Sequence, residues 1–117
     1  MNVYTHFKEP RNIGVIKNGL KASAKNNLCG DEVTLYLKIN KKVEDAKFTA
    51  NACTLCQASA SLLTDYVKGL KKEKLKKINE KTIFKLLGFT PTPSRTGCAL
   101  LPLKALKKIT QASQKEN

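Results

Sequence analysis

Cys29-Gly30-Asp31, Cys53-Thr54-Leu55-Cys56 and Cys98 are the residues of this chain whose types and spacing could do chemistry. Three separated sulfur positions, with a carboxylate two residues after the first, can meet at one metal only if the fold draws distant stretches together. The chemistry they would support is a soft-metal or iron-sulfur site. Three thiolates and one carboxylate hold such a metal less tightly than four thiolates, because oxygen is the harder donor. A carrier would want that looser set and a store the tighter one.

The elements that must position these groups can be read from periodicity. From Glu32 to Asn40, Val33, Leu35, Leu37 and Ile39 alternate with Thr34, Tyr36 and Lys38, the pattern of a strand with one buried face. Asn40-Lys41-Lys42 reads as a hairpin turn, and Ala46, Phe48 and Ala50 continue the alternation in an antiparallel partner. A weaker strand is expected around Lys21 to Lys25. After Cys53 the period becomes helical: Leu55, Ala58 or Ser59, Leu62, Leu63, Tyr66 and Val67 form an apolar stripe that ends at Gly69. A lysine-rich helix from Lys71 to Ile78 and a short one from Thr82 to Leu87, stopped by Gly88, are expected next. Thr90-Pro91-Thr92-Pro93-Ser94 reads as a non-helical loop, since each proline lacks an N–H and biases its predecessor toward extended geometry. That loop would deliver Cys98 to the start of a closing amphipathic helix carrying Leu100, Leu101, Leu103, Leu106 and Ile109, with Pro102 in its first turn. Cys53 and Cys98 would then both lie at helix N-termini, whose positive end favours the thiolate.

The 117 residues, 41% of them hydrophobic, suit one domain spanning 1–117 that buries a core without crosslinks. No stretch reaches the roughly 18 consecutive apolar residues of a membrane span, and Met1 to Gly14 lacks the apolar run of a signal peptide. The sequence therefore reads as cytoplasmic, with no membrane partner, where thiols stay reduced and serve metals or catalysis rather than crosslinks. The formal charge is +13, yet Arg11 and Arg95 are the only arginines among 22 basic residues. Base-edge readout leans on the arginine fork, so no specific nucleic-acid partner is expected. A basic zinc module would carry paired Cys-x2-Cys motifs, and Cys53/Cys56 is the single such pair. The lysines read as a solvated face, with those of Lys71 to Lys77 also available to an acidic partner.

Taken together, His6-Phe7-Lys8-Glu9-Pro10-Arg11-Asn12-Ile13-Gly14, the Cys29-Gly30-Asp31 turn, the Ala-Ser-Ala-Ser segment within Cys53 to Ser61, and Cys98 before a helix resemble the U-type iron-sulfur cluster scaffold family (IscU, SufU and the NifU N-terminal domain). The resemblance runs over nearly the whole chain. It implies an α+β fold, with a small antiparallel sheet of about three strands and helices packed on one face. It also implies the ligands Cys29, Asp31, Cys53 and Cys98. Members accept persulfide sulfur from a cysteine desulfurase and iron from an iron donor, build a [2Fe-2S] cluster, and pass it to recipient apo iron-sulfur proteins. By position Cys98 matches the main sulfur acceptor, and Asp31 the carboxylate that keeps the cluster labile. The expected protein is a scaffold rather than an enzyme, monomeric or weakly dimeric. The alternative is a zinc-bound sulfur-transfer protein.

The chain departs from both branches. The IscU branch carries a histidine just before the last cysteine, where Gly97 stands here, and a Leu-Pro-Pro-Val-Lys segment, where Pro91-Thr92-Pro93-Ser94-Arg95 stands. Arg95, three residues before Cys98, is similar to an arginine of the SufU branch, but the insertion of that branch is absent between Cys53 and Cys98. Two further residues have competing readings. Cys56, one turn after Cys53, is either a small core residue or an extra ligand replacing Asp31 or receiving persulfide. Arg95 is either a solvated charge or the partner of a thiolate or persulfide anion. His6, the sole histidine, lies close to a chain end and is a weak ligand candidate.

Overall fold

The computed structural model describes residues 3–28 and 30–115. Helix α1 (Val3–Lys8) precedes three strands, β1 (Leu20–Lys25), β2 (Glu32–Ile39) and β3 (Val43–Asn51). They form an antiparallel sheet in the order β1-β2-β3. Alternation decides which face is buried. Val33, Leu35 and Leu37 of β2, with Ala46 and Phe48 of β3, point into the core, while Glu32 and Lys38 remain exposed. The Asn40–Lys42 turn closes the hairpin, with a register shift between Lys38 and Ile39 where the strands enter it. β1 forms one edge of the sheet. At the other edge the segment after α1 pairs with β3, Phe48 N–H donating to Asn12 C=O and Gly14 N–H to Phe48 C=O, both at 2.9 Å.

Helices cover the apolar face. Helix α2 (Thr54–Val67) packs on β3, and α5 (Leu101–Lys115) on β1 and β2. The interior they enclose includes Leu35, Phe48, Leu63, Leu101 and Leu106. Tyr66, expected in the α2 stripe, is instead 42% exposed, and Val67 takes the inward position. The lysine-rich stretch is a 3-10 helix, Lys72–Lys77, anchored by buried Leu75 and followed by buried Ile78. That i, i+3 pair eclipses on a 3-10 helix, so two side chains hold a turn otherwise made of exposed charge. Helix α3 (Glu80–Leu87) begins two residues earlier than expected. The Asn79 side chain accepts from Thr82 N–H while the Thr82 side chain accepts from Asn79 N–H, a reciprocal cap. Gly88, at φ +83°, ends it.

Two expectations around Cys98 need correction. Only Thr90 to Thr92 is loop; Pro93 opens helix α4 (Pro93–Ala99), because a proline at the first helical position loses no hydrogen bond and has its φ already set. Cys98 therefore sits in the last turn of α4 and not at a helix start. The break between α4 and α5 at Leu100 also traces to proline. Pro102 has no N–H for the Cys98 carbonyl four residues back, and its ring would crowd that carbonyl, so a continuous helix through Cys98 is blocked. A hydrogen bond from Lys104 N–H to Leu100 C=O, 3.1 Å, restarts the ladder.

Among the described residues no helix is long and apolar enough to cross a membrane. The 3-10 helix joins the sheet at the hairpin through the Lys42/Lys71 bridge. It thus lies at the end of β2 opposite Asp31, roughly 25 Å away along eight strand residues.

Candidate metal centre

Asp31, Cys53 and Cys98 come together at the other end of the sheet. One carboxylate oxygen and the two sulfurs all lie within 4.8 Å of one another. Asp31 and Cys98 are buried and Cys53 half-buried. Each is delivered differently. Asp31 immediately precedes β2, on a turn in which Asn26 N–H donates to Asp31 C=O (2.8 Å) and Gly30 N–H to Asn26 C=O (2.7 Å). Gly30 has φ +75°, a conformation that would strain most other residues at this reversal. Cys29 lies outside the described residues.

Cys53 is the N-cap of α2, with extended backbone (φ −66°, ψ 165°) and no side-chain cap bond. Its carbonyl accepts from Gln57 N–H at 3.0 Å, and the Gln57 side chain donates back to Ala52 C=O at 2.8 Å. These bonds fix the strand-to-helix junction and leave the thiol uninvolved in capping. Cys98 is fixed from beneath: the buried Ser59 hydroxyl of α2 donates to Ala99 C=O at 2.6 Å. That bond satisfies a carbonyl at the interrupted end of α4 and pins the turn bearing Cys98 to α2. Ser59 was legible only as a polar residue inside an apolar stripe; its partner, forty residues on, was not.

Cys56 is fully buried and packs in the hydrophobic core, the first of the two readings open to it. It is not part of the convergent group. Arg95, exposed on α4 one turn before Cys98, helps line an open groove of about 360 Å³ with Phe7, Leu55, Phe89 and Pro91.

His6 is buried. Its Nδ1 lies 2.6 Å from the Ser61 hydroxyl, which also accepts from Arg11 N–H at 2.7 Å, and its Nε2 faces Asp65 at 3.8 Å. Asn12 donates to Asp65 and Thr64 at 2.8 and 3.0 Å. Burial pushes the imidazole below its ordinary pKa, the Asp65 carboxylate opposing and the Arg11 cation reinforcing that shift. With Ser61 receiving Arg11 N–H, the network suits a neutral ring accepting the hydroxyl proton at Nδ1. His6 therefore clasps α1 to α2 and is not part of the metal-ligand group.

A sheet with helices on one face, carrying a carboxylate and two thiols at one end, frames a candidate metal site in a small α+β protein. Residues 1–116 match the model of the NifU-like N-terminal domain, and the chain belongs to this U-type iron-sulfur cluster scaffold family. The chain is 34% identical to the zinc-dependent sulfurtransferase SufU of Bacillus subtilis, over 91% of this chain and 84% of the relative. It is 32% identical to the iron-sulfur cluster assembly scaffold protein IscU 1 of Archaeoglobus fulgidus, over 91% and 70%. Its fold matches that of the N-terminal part of a nitrogen-fixing NifU-like protein from Brucella abortus, with a TM-score of 0.79 at 22% identity, covering 98% of this chain and 93% of the other.

Proposed function

We propose that this chain is a scaffold on which a [2Fe-2S] cluster is assembled from iron and desulfurase-derived persulfide and then passed to recipient apo iron-sulfur proteins. The observation that carries the reading is the approach of the Asp31, Cys53 and Cys98 donor atoms to within 4.8 Å of one another, on three separate elements. Cys29, two residues before Asp31, supplies the fourth ligand. Cys98 is the sulfur acceptor: its thiolate attacks the outer sulfur of a cysteine persulfide on the desulfurase, the new S–S bond forms at Cys98, and the desulfurase cysteine leaves as thiolate. Converting that sulfur to sulfide takes an electron pair from a reductant outside the chain. Arg95, one turn before Cys98 on α4, is the proposed partner of the anionic persulfide. The chain acts as a carrier and not as an enzyme, with a cysteine desulfurase and an iron donor as partners.

A specific observation keeps zinc-bound sulfur transfer as the second reading. A tetrahedral ion with sulfur at about 2.3 Å separates two thiolates by roughly 3.8 Å. Three donors inside 4.8 Å can therefore also meet at a single such ion. The absorption spectrum and metal content of protein purified without oxygen separate the two readings. For the scaffold, incubation with ferrous iron, cysteine and a desulfurase should develop [2Fe-2S] absorption. Its persistence through serine substitution at each of Cys29, Cys53 and Cys98 would show the ligand assignment to be wrong.

A further inference from the structure

Gly97 sits inside α4, one residue before Cys98, where glycine costs helix stability relative to alanine. Its φ is not left-handed, so the backbone does not call for glycine there. The explanation is space. A Cβ on Gly97 would lie 3.0 Å from the Asn26 side-chain nitrogen, its sole neighbour within 4 Å, at the edge of what real contacts tolerate. Swinging Asn26 aside would break the bond that its Oδ1 accepts from Leu28 N–H at 3.0 Å. The same residue closes the turn through its N–H to Asp31 C=O and its C=O to Gly30 N–H. One residue thus ties Gly30 and Asp31 through its backbone and meets α4 directly beside Cys98 through its side chain.

We propose that Asn26 is a positioning residue of the site and Gly97 its matched counterpart, the contact between them setting how closely the turn bearing Asp31 approaches Cys98. The inference rests on the proposed metal site. Gly97→Ala inserts a methyl into the contact and drives the turn and α4 apart. The donor atoms of Asp31 and Cys98 separate, although alanine by itself favours the helix. Asn26→Ser removes the amide nitrogen from the contact while its hydroxyl can still accept from Leu28 N–H, so Asn26→Ser/Gly97→Ala makes room for the added methyl.

The test is anaerobic titration with Co²⁺, whose visible bands report tetrahedral thiolate ligation, alongside thermal unfolding of the metal-free proteins. Gly97→Ala should bind Co²⁺ about tenfold more weakly, the lower end of what outer-shell substitutions cost a metal site. Its metal-free melting temperature should be unchanged or raised. The double variant should recover to within about twofold of wild type. Wild-type affinity in Gly97→Ala, no recovery in the double variant, or a melting temperature that falls with the affinity would overturn the pairing. Cobalt bands unaltered in Cys53→Ser and Cys98→Ser would instead remove the site itself. Loss of the bands in those two variants together with wild-type Co²⁺ affinity in Gly97→Ala would sink the pairing alone.

Discussion

The two ends of the sheet are built on opposite terms. At the Asp31 end the groups are short and held by bonds in several directions: a turn closed on Asn26, a helix junction tied by Gln57, and a helix terminus held by Ser59. At the hairpin end Lys41, Lys42, Lys71, Lys72, Lys74, Lys76 and Lys77 all extend into solvent, and the contact among these lysines is mainly backbone pairing between Lys42 and Lys71. Ligand chemistry demands donor atoms placed to a fraction of an ångström, so it is found where short side chains are over-determined. Charge acts through distance and needs no such placement. Seven of the 22 basic residues thus lie at the end of β2 opposite Asp31.

The sharpest way to break this contrast is to substitute both ends. Cys53→Ser or Cys98→Ser should lower metal affinity by at least a hundredfold, whereas Lys72→Glu/Lys76→Glu should leave it within twofold; titration with Zn²⁺ reads both. An equal loss from the lysine variant would erase the distinction. A smaller but still large effect is expected at Asp31. Replacing the one oxygen donor of the proposed site with alanine should slow cluster release, because exchange through the weakest ligand would admit an incoming thiol. Transfer from loaded Asp31→Ala to an apo-ferredoxin, followed by absorbance, should run several-fold slower than from wild type. Equal rates and equal lifetimes in air would assign lability elsewhere.

Ser59→Ala leaves the Ala99 carbonyl without its side-chain donor and should cost about 1–3 kcal/mol of stability, measured by denaturant unfolding, together with part of the metal affinity. A loss of stability alone would make Ser59 a packing residue and not a support of Cys98. Salt sharpens the comparison further. With a screening length of about 10 Å at 0.1 M, lysines roughly 25 Å from Asp31 should change desulfurase association at low salt and become silent at physiological salt. The smallest effect belongs to His6, outside both ends. Its folded pKa is lowered, so the unfolded chain takes up the proton first; its contribution is complete above about pH 6.5 and declines as pH falls below that value. Between pH 7.5 and 5 the wild-type melting temperature should fall more than that of His6→Asn.

Much of this was legible in the chain, and the reasons differ by element. The β2 and β3 strands were readable because a half-buried strand imposes period two, and α2 because its apolar stripe runs over three turns. Asp31, Cys53 and Cys98 stood out as residue types, since few other structures call for sulfur at such places. What escaped were effects of one residue on another far away. The α4 start at Pro93 depends on whether that proline falls at a first helical position, and the break after Cys98 on Pro102 facing a carbonyl four residues back. Ser59 with Ala99, Ser61 with His6 and Asn26 with Gly97 are pairings across 40, 55 and 71 residues, and no local pattern encodes a partner at that range.

The edges of the sheet bear on behaviour at high concentration. One edge is taken up by the Asn12–Gly14 segment against Phe48; the other, β1, is only six residues long, carries Lys21 and Lys25, and has its Ser23 carbonyl covered by Lys108 Nζ at 2.7 Å. Short length, lysines and a covered carbonyl are the means by which proteins discourage a neighbour from adding a strand and seeding fibrils. A scaffold that hands on its cluster as proposed gains from edges that do not recruit its own copies, and any dimer it forms is expected to use faces other than the rim of its sheet.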